Sequence, residues 1–121
     1  MATVLIVDDS PTEVHVIKTM LEKQGYQTLT AESGEVGIEQ AKTAQPDVIL
    51  MDVVMPGLNG FQATRQLSRD PATANIPVII VSTKGQETDR AWGLRQGAKE
   101  YLVKPITASE LIGKIKAVLG A

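Results

Sequence analysis

Four short stretches carry the residues that could do chemistry: "VDDS" (7–10), "LMD" (50–52), "VST" (81–83) and "YLVKP" (101–105). At the ends of the apolar runs they place three carboxylates (Asp8, Asp9 and Asp52), the hydroxyls of Ser82 and Thr83, and one lysine, Lys104, followed by Pro105. Three carboxylates in one pocket do not all stay ionised without compensation. A hard dication bound through oxygen supplies that compensation, and Mg2+ takes one or two carboxylates, waters and phosphate oxygens. A lysine adds a point charge for a phosphoryl oxygen, and a hydroxyl can donate to another. The set suits phosphoryl transfer, in which positioning and charge neutralisation do most of the work. An aspartate can itself be the nucleophile, forming an aspartyl phosphate.

Each residue also has a plainer use. An aspartate of the first pair can favour the dipole of a following helix. Asp52 can be a turn residue, Ser82 and Thr83 can satisfy backbone groups at a strand end, and Lys104 can be an edge lysine. The chemical reading needs all four stretches at one edge of one sheet.

The elements around them meet that requirement. The runs 3–8, 47–52, 77–82 and 100–104 are rich in Val, Ile and Leu without polar alternation, as in strands of a parallel sheet covered on both faces. "YQTLTA" (26–31) is more polar and alternates, which places it at an edge. Helical stretches separate the runs. Ser10-Pro11 is a helix start, and Val14, Ile17 and Leu21 follow the spacing of a buried face. Asp70-Pro71 and Gly97 read as stops, and the last helix aligns Leu111, Ile112, Ile115, Val118 and Leu119. Strand and helix alternate five times, which predicts an α/β sandwich with a parallel five-stranded sheet. In the order 2-1-3-4-5, ligands bind beyond the C-terminal ends of the strands, where Asp8, Asp9 and Asp52 converge.

Composition sets the outer limits. The 121 residues suit one domain, 1–121, and the net charge of −2 does not favour nucleic acid. Cysteine is absent, which excludes disulfides and thiolate chemistry and agrees with a cytoplasmic location. No apolar run reaches the roughly 20 residues of a spanning helix, and the N-terminus lacks a signal-peptide pattern. His15 has no histidine partner at a metal-ligand spacing and is expected at the surface.

With those motifs in order, the whole chain resembles the CheY-like receiver domain of two-component response regulators, which has a flavodoxin-like (βα)5 fold. The resemblance implies that Asp52 is the phosphoacceptor, fed by a CheA-like histidine kinase. It also implies that Asp8 and Asp9 bind Mg2+ with Asp52 and the backbone carbonyl of Val54. Lys104 then contacts the phosphoryl group, Ser82 is the switch hydroxyl, and Tyr101 is the aromatic that swings inward. Val54, Thr83 and Lys84 border the phosphoryl group, and Lys104-Pro105 is expected to be cis. Within "VVMPGLNGFQATRQL" the resemblance narrows to stand-alone PilH-type receivers of pilus-linked chemosensory systems, which act in twitching motility. Output would pass through the surface of the fourth helix, fifth strand and fifth helix to a protein partner, or the chain would act as a phosphate sink. Trp92, Leu94 and Ile106 are candidates for that surface, with core packing expected for Trp92. Such a protein catalyses only its own phosphorylation and dephosphorylation.

Two other classes fit the same fold. A degenerate receiver would only bind partners, but here every expected site residue is present. A flavin binder would need aromatic and hydroxyl-rich loops. The chain has one Trp, two Tyr and one Phe, and two aspartates follow its first strand.

Overall fold

In the computed structural model, residues 2–120 are described. Five strands alternate with five helices: β1 (Thr3–Val7), α1 (Pro11–Lys23), β2 (Gln27–Ala31), α2 (Gly34–Ala44), β3 (Val48–Met51), α3 (Gly60–Arg69), β4 (Val78–Ser82), α4 (Glu87–Arg95), β5 (Glu100–Val103) and α5 (Ala108–Leu119). All pairings are parallel, and the sheet order is β2-β1-β3-β4-β5. The polar, alternating strand β2 lies at an edge, as its pattern requires.

Period two sorts each apolar strand between two cores. Leu5, Val7, Ile49, Met51, Val78, Ile80 and Tyr101 point to one, with Ile38 and Ala41 of α2 and Ala63 and Leu67 of α3. Val4, Ile6, Val48, Leu50, Ile79, Val81 and Leu102 point to the other, with Ile17 and Leu21 of α1 and Leu111, Ile112 and Ile115 of α5. The sheet therefore lies between α1 and α5 on one face and α2, α3 and α4 on the other.

Helix α4 has no apolar stripe and packs by a different device. Its buried residue is Gly93. A Cβ there would lie 2.8 Å from Ile80 Cδ1 and 2.9 Å from Tyr101 Cδ2, so the bare backbone lets the helix rest on the sheet. Successive helical residues are about 100° apart, which turns Trp92 and Leu94 away from the sheet. Trp92 is 47% exposed, so the expectation that it packs in the core is corrected. Ile106, between β5 and α5, is half-buried against the layer of α1 and α5 and lines a groove of about 200 Å³ with Thr12, Val16 and Ile17.

Candidate functional site

Strand pairing fixes where the acidic residues go. Val7 is in register with Met51 on the neighbouring strand, so the residues that follow, Asp8 and Asp52, emerge side by side. Both are buried. The Asp52 N–H donates to Val7 O at 2.9 Å, which ties the two strand ends together. One carboxylate oxygen from each of Asp8, Asp9 and Asp52 lies within 4.8 Å of the others. Such a set of hard oxygen donors fits Mg2+, with coordination left for water and phosphate.

Lys104 enters from the end of β5. Its Nζ donates to Asp8 Oδ2 at 3.1 Å and to Asp52 Oδ1 at 3.4 Å. A third bond, to Glu13 Oε2 at 2.7 Å, is the shortest. The peptide bond from Lys104 to Pro105 is cis, as expected. Burial lowers the tendency of Lys104 to hold its proton, but its bonds to Glu13 and Asp8, with the charges of Asp52 and Asp8, outweigh it and the pKa is raised. Burial first, and the Asp8 charge second, push Asp52 up from 3.8 to about 6, while Lys104 and the Val53 backbone pull only partly the other way.

The loop after β4 carries a short hydrogen-bond chain. The Lys84 N–H donates to Ser82 Oγ at 3.1 Å, and the Tyr101 hydroxyl donates to the Lys84 carbonyl at 2.7 Å. Ser82 and the Tyr101 ring are buried, so the aromatic expected to swing inward occupies the inward position here. Burial is the main cause of a raised Tyr101 pKa. Arg90 on α4 lies over the ring, 5.7 Å from its centroid. Thr83 and Lys84 are exposed at the rim; the Lys84 backbone bridges Ser82 and Tyr101, and the Ser82 side chain also acts on the phenol directly, partly opposing its raised pKa. Val54 projects outward, 61% exposed, two residues past Asp52. His15 is exposed on α1, as expected.

Two contributors were not singled out from the sequence. Glu13 stands three residues after Ser10, the spacing of a helix capping box, and that spacing offered a signal for it. Gly60 starts α3, and its N–H donates to Val53 O at 2.9 Å. A Cβ at Gly60 would collide with the carbonyl oxygen of Asp52. Only glycine lets α3 begin this close to the end of β3.

The family described as response regulator receiver domain matches residues 4–116. The chain belongs to that family. This receiver is 60% identical to Protein PilH of Pseudomonas aeruginosa over 98% of both chains. It is 39% identical to the phosphate regulon transcriptional regulatory protein PhoB of the same species, spanning 51% of that longer protein. Among solved structures, the Vibrio cholerae chemotaxis protein CheY4 superposes with a TM-score of 0.91 at 30% identity, covering 98% of each chain. The receiver domain of a Pseudomonas aeruginosa sensor histidine kinase, with a magnesium ion coordinated in its active-site cleft, gives 0.91 at 30% identity over 99% and 98% of the two chains. This receiver therefore combines the CheY-like fold with an acidic cluster of the kind that binds Mg2+ in its family. Among the described residues, no helix is long and apolar enough to cross a membrane.

Proposed function

We propose that this receiver is a stand-alone, cytoplasmic response regulator that accepts a phosphoryl group on Asp52 from a CheA-like histidine kinase. The observation that carries the reading is the meeting of Asp8, Asp9, Asp52 and Lys104 around one pocket at the C-terminal sheet edge. At pH 7 an Asp52 carboxyl with a pKa near 6 is mostly ionised and can attack. Its Oδ forms a bond to phosphorus as the P–N bond to the donor histidine breaks. The imidazole nitrogen keeps the electron pair and is reprotonated from solvent. Asp8, Asp9, Asp52 and the Val54 carbonyl would hold Mg2+, which would supply charge neutralisation to the phosphoryl group. Lys104, already on Asp52 Oδ1, turns an N–H to a phosphoryl oxygen. A hydroxyl accepts and donates at once, so Ser82 donates to another oxygen while accepting the Lys84 N–H.

The response follows the hydrogen-bond chain. A shift of Ser82 moves the Lys84 backbone and with it the carbonyl that holds Tyr101, which biases a two-state equilibrium in the α4-β5-α5 surface. Exposed Trp92 and Leu94 suit that surface for a protein partner. The similarity to PilH over 98% of both chains supports a stand-alone regulator in pilus-linked motility. The chain acts as an enzyme only on its own phosphoryl group.

Incubation with acetyl phosphate or phosphoramidate, with and without Mg2+, tests the acceptor. An acid-stable, base-labile phosphoprotein is expected with Mg2+, and none in Asp52→Asn. Labelling that persists in that variant rejects Asp52.

A further inference from the structure

Three described helices begin with a hydroxyl three residues before N3: Ser10 in α1, Ser33 in α2 and Thr107 in α5. In α5 the reciprocal cap closes, with Glu110 accepting from the Thr107 N–H at 3.2 Å. In α3 an asparagine cap closes in the same way, with Gln62 accepting from Asn59 N–H at 2.9 Å. Helix α1 has the same pattern, Ser10-x-x-Glu13, but its cap closes on one side only. Ser10 Oγ accepts the Glu13 N–H at 3.4 Å, while the Ser10 N–H goes to Asp8 Oδ1 at 2.9 Å. The Glu13 carboxylate thereby loses its local partner and reaches instead across to Lys104, 91 positions along the chain.

That reach has a chemical cost for the site. An ammonium has three N–H donors, and Lys104 meets three carboxylates: Glu13 at 2.7 Å, Asp8 at 3.1 Å and Asp52 at 3.4 Å. The tightest contact is the one outside the proposed metal set. The Lys104 side chain is 10% exposed and that of Glu13 43%, so the bond ties a buried Nζ to a carboxylate at the pocket rim. To hold a phosphoryl oxygen, Lys104 must give up or stretch one of its contacts. Glu13 also adds a fourth negative charge beside the path of an anionic donor.

We propose that Glu13 is a positioning residue that restrains phosphorylation by competing with the phosphoryl group for Lys104. It acts through Lys104 and does not touch the acceptor. The inference rests on Asp52 being phosphorylated. Glu13→Gln removes the charge while keeping a similar shape, and so releases Lys104 to the phosphoryl group.

Two measurements test this with Mg2+ present. The first is the equilibrium affinity for trifluoroberyllate, a phosphoryl mimic on a carboxylate, by isothermal titration calorimetry. The second is the rate of labelling against acetyl phosphate concentration. For a partly exposed ion pair, Glu13→Gln should tighten trifluoroberyllate binding and lower half-saturation by acetyl phosphate by about two- to fivefold. The maximal rate should change less than the half-saturation, a split that damage to the helix alone would not produce. Raising the salt concentration should narrow the gap between the proteins. Unchanged or weaker binding in Glu13→Gln overturns the proposal. Failure of the wild type to label, or labelling retained in Asp52→Asn, instead rejects the acceptor reading.

Discussion

Gly60 presses its bare α-carbon against the carbonyl oxygen of Asp52, leaving no room for a Cβ. The same glycine donates its N–H to Val53 O, so α3 is anchored at the backbone of the proposed acceptor. Gly60→Ala must push α3 away or move the end of β3. It should cost about 2 kcal/mol or more in urea unfolding and reduce labelling of Asp52. Gly113 on α5 is the internal control, because a Cβ there meets nothing within 4 Å. Gly113→Ala should stabilise by about 0.5–1 kcal/mol, since alanine restricts the unfolded chain and favours helix. Equal effects from the two substitutions would remove the steric argument.

Burial beside Asp8 makes the charge on Asp52 a liability in the metal-free protein. The folded chain holds the Asp52 proton up to about pH 6, whereas the ordinary carboxyl releases it near 3.8. Below about pH 4 both states keep the proton and the group costs nothing. Between about pH 4 and 6 the unfolded state alone releases it, so stability falls as pH rises. Above pH 6 the whole cost is present, on the order of 3 kcal/mol at most. Asp52→Asn carries no such charge. In EDTA it should exceed the wild type by about 1–3 kcal/mol at pH 8, with the gain fading toward pH 4. A gain of equal size at both pH values would place its origin elsewhere.

Lys104 holds the carboxylates of Asp8 and Asp52, two of the three proposed to bind Mg2+. Lys104→Ala should therefore act in opposite directions on stability and on metal binding. Without metal, it leaves buried carboxylates without their counter-charge, which should cost about 3 kcal/mol at pH 8. With the competing cation gone, calorimetry should show Mg2+ binding at least about threefold tighter. Weaker Mg2+ binding would mean that Lys104 organises the carboxylates more than it competes for them. Labelling by acetyl phosphate should fall in either case.

The sheet could be read from the chain because its physics is local. Val4–Val7, Val48–Met51 and Val78–Val81 are apolar at every position, which only strands covered on both faces require, and the residues just beyond them belong to the candidate site. The contacts that were not legible depend on competition between distant groups. Glu13 looks like a capping residue until Asp8 takes the Ser10 N–H. Trp92 looks like a core residue until Gly93 is seen to be the position that faces the sheet. Lys84 draws attention to its side chain, yet its backbone makes the link from Ser82 to Tyr101.

That link can be cut with one atom. Tyr101→Phe keeps the buried ring and removes the hydroxyl that donates to the Lys84 carbonyl at 2.7 Å. Loss of one neutral hydrogen bond should cost about 1 kcal/mol in urea unfolding. The Lys84 carbonyl lies in the exposed loop after β4, where water can replace the phenol, so the cost should not grow much beyond that. The functional effect should appear elsewhere, because the proposed relay from Ser82 to the ring loses its backbone connection. Labelling of Asp52 should therefore survive in Tyr101→Phe, because the acceptor, Lys104 and the carboxylates are untouched. Amide exchange should report the difference. In the wild type, trifluoroberyllate should change the protection of residues 84–86 and of α4 together. In Tyr101→Phe the change should remain near Ser82 and be lost on α4. A response on α4 that persists at full size in the variant would show that coupling bypasses the hydroxyl, through the ring packed against Gly93.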